Sequence, residues 1–189
     1  MAHSLKAKHR RRLIRAIASG SLVTVRRRKL WSETIVPVAV GRRLLLFWHV
    51  HDFEVAGLHV IRLKDIKSVK RPRSDRAFEA VLRDRNQIPA TPRPVPPLDR
   101  MEMLLGSIPR RQMVVLAFEL PCDEPAFSIG WLGDLTKHGK RIEMRSFDVE
   151  GQLHDDEASH RVKRITRVQL QDPYLDGFRH FFAIGGVDR

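Results

Sequence analysis

Ile66-Lys67-Ser68-Val69, followed by Phe78 and Leu82, is answered by Ile165-Thr166-Arg167-Val168, followed by Phe178 and Phe182, 99 to 100 residues later. Working outward, Leu13-Ile14-x-x-Ile17 and Leu22-Val23-Thr24-Val25 match Leu104-Leu105-x-x-Ile108 and Met113-Val114-Val115-Leu116 at an offset of 91. Val38-Ala39-Val40-Gly41 pairs with Phe127-Ser128-Ile129-Gly130 at 89. The order is kept while the loops vary, as in a duplicated small domain. Each copy reads as a helix, about five short strands and a closing helix.

In the first copy a helix is expected over 4–18, with Ser4 as its cap and Leu5, Leu13, Ile14 and Ile17 as its apolar side. Strands follow over 21–28, 34–41, 43–51 and 57–64. A short turn at Asp65 leads into a last brief strand, and Ser74 opens a compact helix. In the second copy Asp99 is placed to cap a short helix through Leu105. Strands are expected over 112–120, 126–133, 140–147, 158–163 and 165–170, and Asp172-Pro173 opens the closing helix. Between the copies lie Pro89, Pro92, Pro94, Pro96 and Pro97, a density that favours an extended spacer. The division is therefore 1–85, a linker over 86–98, and 99–189. A PxxP ligand for an SH3 or WW partner is the less favoured reading of that linker. Five short strands in so few residues suggest a small closed barrel, because closure removes exposed edges.

Composition narrows the function. No apolar run is long enough for an ordinary membrane helix, and no apolar core follows the N-terminal basic stretch as a secretory signal requires. The single Cys122 excludes an internal disulfide and a cysteine metal site, so a reducing, cytoplasmic setting is expected. The net charge of +13 is local: residues 1–32 hold ten Lys or Arg and no acid, leaving 25 basic and 22 acidic residues elsewhere. On a helix, Lys8, Arg11, Arg12 and Arg15 fall at i, i+3, i+4 and i+7 and form one stripe, flanked by Lys6 and Arg10. Arg26, Arg27, Arg28 and Lys29 extend it, and Trp31 beside them is the aromatic best placed for a base to stack on. A patch without interspersed acids points to RNA or another polyanion. The alternative is an adaptor whose basic helix docks on an acidic protein.

Catalytic readings are weaker. His49 and His51 share a strand face, as metal-binding imidazoles do, but only His59 is near and no Asp-His pair follows. They read better as the polar side of a strand whose Leu46, Trp48 and Val50 point inward. Asp148, Glu150, Asp155, Asp156 and Glu157 lie in one Gly-containing loop, where carboxylates are solvated and offset basic charge. Cys122 lies among acids that disfavour its thiolate. No catalytic residue, metal or cofactor is expected.

A leading helix, successive strands and a tight turn before the last strand resemble the Sm-like fold of Hfq and its relatives. Ile61-x-Leu63-x-x-Ile66-x-x-Val69 is similar to the end of an Sm core, and Gly57 to Val69 is also similar to uncharacterised bacterial proteins. The resemblance implies two tandem Sm/SH3-like small β-barrels with flanking helices and RNA as ligand. The Hfq pattern has a Lys-His pair before the final strand. Here Lys64-Asp65 and Val162-Lys163-Arg164 stand instead, so the family's base-binding residues do not carry over.

Overall fold

A computed structural model describes residues 7–28, 30–119 and 126–185. Ser4, Leu5, Lys6, Lys29 and Cys122 lie outside the described residues. Among the described residues the chain is mainly β with four α-helices, and it divides into two compact units, 1–99 and 100–189.

The first unit runs α1 (Ala7–Ser19), β1 (Val23–Arg27), β2 (Ser32–Val40), β3 (Leu44–His51), β4 (Glu54–Arg62), a 3-10 turn (Leu63–Asp65), β5 (Ile66–Lys70) and α2 (Arg73–Asp84). Its sheet is antiparallel in the order β5-β1-β2-β3-β4. The second unit repeats this as α3 (Met101–Ser107), β6 (Met113–Phe118), β7 (Ala126–Thr136), β8 (Arg141–Phe147), β9 (Ala158–Arg161), a 3-10 turn (Val162–Arg164), β10 (Arg167–Gln171) and α4 (Pro173–Ala183). Its order is β10-β6-β7-β8-β9. In each unit the fourth and fifth strands stand at opposite ends of the order and do not pair, so neither sheet closes on itself. Register shifts at Arg26/Arg27, Pro37/Ala39, His49/Val50 and Leu132/Leu135 are the kind of bulge that bends a strand.

Ladder register fixes which residues correspond. Val25 faces Val69 and Leu116 faces Val168, giving offsets of 91 and 99, as the sequence pattern indicates. The pairing of Val38–Gly41 with Phe127–Gly130 fails. Val23 faces Ile35 and Val114 faces Gly130, so Ile35 is the counterpart of Gly130 and the offset there is 95. The glycines that invited the error answer different needs. A Cβ on Gly41 would lie 2.3 Å from the Leu98 side chain, whereas one on Gly130 would lie 2.1 Å from the Arg145 carbonyl oxygen on β8. The two 3-10 turns match to the hydrogen bond. Leu63 N–H donates to Arg43 O at 2.8 Å, and Val162 N–H donates to Lys140 O at 3.0 Å.

α1 and α2 cover separate clusters of the first sheet. Leu13 and Ala16 of α1 join Val25, Phe47, Ile61 and Val69 in one. Leu82 and Phe78 of α2 join Leu22, Val36, Val50 and Val55 in the other. That second cluster recurs as Phe182, Phe178, Met113, Trp131, Phe147 and Leu153 under α4. Trp48 packs beside the first of these clusters and Trp131 lies in the second, as expected of core residues.

Local features depart further from the sequence expectation than the apolar skeleton does. Ile14 is 49% exposed, and His9 takes its place on the buried side of α1. His9 Nδ1 accepts from Val69 N–H at 3.3 Å, while Arg12 Nη1 donates to Val69 O at 2.7 Å. Asp99 does not cap α3. Its carboxylate accepts from the Arg42 amide at 3.2 Å, and the residue flanking α3 is Arg100. α2 opens at Arg73 after Pro72. Asp172 does cap α4, accepting from Tyr174 N–H at 2.8 Å. The proline-rich stretch is anchored within the first unit: Ile88 packs in the α2 cluster, and Leu98 O accepts from the Arg43 and Leu44 amides.

Candidate nucleic-acid interface

α1 has no acid in its first turn and sits on the sheet through His9, Leu13 and Ala16, spaced i, i+4, i+7. At 100° per residue, Lys8, Arg11 and Arg15 then point to solvent, and all three are exposed. Arg12 lies nearer the sheet, which is why its guanidinium reaches Val69 O while part of the side chain stays in water. On the far flank Arg10 Nη2 donates to Gly41 O at 2.9 Å. The stripe therefore exists as spaced, with Arg12 tethered at its inner border.

The second basic run does not simply extend it. Arg27 is 1% exposed, and its Nη1 lies 3.9 Å from Glu33 Oε1. Strand alternation explains this: Val23, Val25 and Arg27 share the face turned to the core. Arg27 is thus a buried structural cation and not a phosphate contact, a correction to its place in the expected site. Arg26 is exposed but leaves β1 on the side of Thr24, whose hydroxyl bonds Asp75 of α2. It therefore points away from the face that α1 covers. Arg28 is exposed, and its amide donates to Asp65 O at 2.8 Å. Trp31 is 72% exposed and available for stacking.

Tertiary structure adds partners to the stripe. A cleft of about 510 Å³ runs between α1 and β5, lined by Arg12, Arg15, Ser19, Ser21, Lys70 and Arg71 among others. Arg71 Nη2 donates to Glu79 Oε2 at 2.8 Å, and Arg83 Nε reaches Glu79 Oε1 at 3.2 Å. Arg83 also donates to the Ser19 and Gly20 carbonyls, closing the end of α1. Burial raises the Glu79 pKa, but the Leu22 amide, Arg71 and Arg83 outweigh it and hold the carboxyl below its ordinary value. Lys70 and Arg71 lie more than fifty residues from Arg15, so only folding brings them to it. No signal local to β5 marks them, since Lys67 and Lys70 are both exposed but stand three residues apart and so do not share one strand face.

The other candidate groups take structural places. The rings of His51, His49 and His59 stack in a row, at 6.5 Å and 5.4 Å between centroids. No group of three metal-ligating side chains forms among the described residues. Asp148 Oδ1 accepts from the Glu150 and Gln152 amides at 2.9 Å each, so it shapes its loop, while Glu150, Asp155, Asp156 and Glu157 are exposed. Among the described residues no helix is long and apolar enough to cross a membrane. No protein-family model, curated protein or solved structure matches the chain.

Proposed function

We propose that this chain is a non-catalytic nucleic-acid-binding protein, for RNA before DNA, acting in the cytoplasm. It holds the ligand through Lys8, Arg11, Arg12 and Arg15, with Arg28 and Trp31 as neighbouring contacts. One observation carries the reading. Lys8, Arg11, Arg15, Arg26 and Arg28 have no carboxylate partner among the described residues, whereas Arg62, Arg71, Arg83, Arg110 and Arg179 each have one. A surface made for solubility mixes its signs, and this one does not.

The proposal includes an Sm-like architecture of two tandem, strongly bent small barrels. The doubled strand order, the leading helices, the 3-10 turns before the last strands and the bulges all support it. RNA is favoured because that architecture pairs with single-stranded ligands, which a basic groove and an aromatic platform suit.

Fluorescence anisotropy with labelled single-stranded RNA tests the reading. Binding at about 50 mM salt is expected, weakening with a slope near −0.7 per phosphate contact as salt rises. Lys8→Gln/Arg11→Gln/Arg15→Gln should weaken every sequence alike and flatten that slope by about 2. No binding at low salt defeats the proposal. Unchanged affinity of the variant moves the site elsewhere.

A further inference from the structure

We infer that the cleft between α1 and β5 receives a terminal phosphate monoester, at the end of an RNA strand or on a free mononucleotide. The inference rests on the nucleic-acid reading and gives it a second part. Lys8 and Arg11 lie outside the cleft, while Arg12 and Arg15 line it. Lys8 and Arg15 are about 10 Å apart along the helix axis. The stripe thus leads from open solvent into a half-open cleft.

The charges in that site are not equally occupied. Arg12 donates to a neutral carbonyl, and Arg71 and Arg83 share the single carboxylate of Glu79. The side chains of Arg15 and Lys70 make no hydrogen bond or ion pair among the described residues. Four cations, Arg12, Arg15, Lys70 and Arg71, line the cleft beside no carboxylate, and of these only Arg71 is paired, with Glu79 outside the lining. Ser19 and Ser21, with Oγ atoms 2.8 Å apart, add hydroxyls, while Ala16, Val23 and Val69 supply apolar wall.

An internal phosphodiester carries one negative charge. A monoester carries about −1.5 to −2 and three acceptor oxygens. Two unengaged cations and a hydroxyl pair match the monoester better than the diester. The volume also fits a bound group with its sugar, since small-molecule sites occupy about 300 to 1,000 Å³. The stripe outside the cleft suits phosphodiesters, so the two surfaces divide the strand between its end and its body.

The test compares one short single-stranded RNA carrying a 5′-phosphate, a 3′-phosphate or neither. A nucleoside monophosphate, followed by NMR titration, is the separate arm. A phosphate at one end should tighten binding about tenfold, the worth of one charge-assisted bond. That gain should vanish in Arg15→Gln/Lys70→Gln and survive in Lys8→Gln/Arg11→Gln, with circular dichroism confirming that both variants fold. Equal affinity for all three RNAs overturns the inference, as does a gain that survives in Arg15→Gln/Lys70→Gln. If the three bind alike and Lys8→Gln/Arg11→Gln weakens them, the nucleic-acid reading stands and the cleft assignment falls. If no RNA binds, that reading falls. The monophosphate then decides the cleft: binding lost in Arg15→Gln/Lys70→Gln keeps it, and no binding overturns it.

Discussion

Asp75 and Leu175 hold matching places on α2 and α4, and both side chains are wholly buried. Around Asp75 stand Thr24 and Thr34, whose hydroxyls donate to its carboxylate at 2.9 Å and 3.5 Å. Ladder register makes Val115 and Ile129 their counterparts, and these sit with Leu175 in one apolar cluster. Four residues along the helix the inversion repeats. Glu79 accepts from the Leu22 amide at 3.1 Å, whereas Arg179 donates to the Met113 carbonyl at 3.1 Å. One backbone joint is therefore made twice, once from hydrogen-bonded polar groups and once from hydrocarbon. What both copies preserve is burial at the same positions, and the chemistry that achieves it is free to change.

Five variants bear on this comparison. The largest effect is expected from Leu175→Asp, which puts a carboxyl into the second joint without the threonines that serve the first. Losing the leucine and burying an unpartnered acid should together cost about 4 kcal/mol or more, read as a lower urea midpoint. A cost below about 1 kcal/mol would show that the joints tolerate either chemistry regardless of neighbours. Next comes Arg27→Met, which leaves Glu33 buried without its cation and should cost about 3 to 5 kcal/mol. RNA affinity should be unchanged by it, and a loss of binding at intact stability would return Arg27 to the interface. In RNA binding itself, Lys8→Gln/Arg11→Gln/Arg15→Gln should weaken affinity about a hundredfold at low salt. Lys137→Gln/Lys140→Gln/Arg145→Gln in the second unit should leave it within about twofold, and an equal loss would spread the site over both copies.

The smallest change in stability is expected from Thr24→Val/Thr34→Ile/Asp75→Leu, which rebuilds the first joint in the image of the second. Replacing a buried polar set by apolar groups of similar shape is often neutral or stabilising, so a shift within about 1 kcal/mol is predicted. Its clearer signature is pH dependence. Burial raises the Asp75 pKa above the ordinary 3.8, with hydrogen bonds from Thr24 and Thr34 and the charge of Arg71 opposing. The folded carboxyl thus keeps its proton to higher pH than the unfolded one. Its contribution to stability is full below 3.8 and declines as pH rises through the folded value. Glu79 acts oppositely, since its lowered pKa adds stability above 4.5 that is lost as pH falls. In the triple variant the Asp75 decline should vanish while the Glu79 acid loss remains. Denaturant titrations from pH 3 to pH 7 would show it.

Much of the duplication was legible because apolar spacing survives exchange of side chains. The offsets of 91, 99 and 100 rest on Val25, Val69, Phe78 and their counterparts, all of which the ladders or clusters match. The second strand was misaligned because two glycines look alike in sequence while one yields to Leu98 and the other to the Arg145 carbonyl. The polar joint was invisible for the same reason: Thr24, Thr34 and Asp75 share nothing in type with Val115, Ile129 and Leu175. On α1, helical spacing gives Lys8, Arg11 and Arg15 the one exposed side that the structure shows. Strand alternation would have removed Arg27, since it follows Val23 and Val25 at steps of two. Lys70 and Arg71 were beyond reach, because nothing local to β5 indicates that α1 will lie beside it.

The two bonds that α1 makes to Val69 have a consequence for the behaviour of the chain in solution. Val69 turns its amide and carbonyl away from β1, and an unguarded strand in that position is a template for further strands. His9 receives the amide and Arg12 serves the carbonyl, so at this residue the helix does the work of a neighbouring strand with two side chains. A protein deprived of α1 would present Ile66–Lys70 as a bare margin, relying on Lys67 and Lys70 alone to repel another copy. The helix that carries the proposed ligand contacts is thus also what keeps the first sheet from growing.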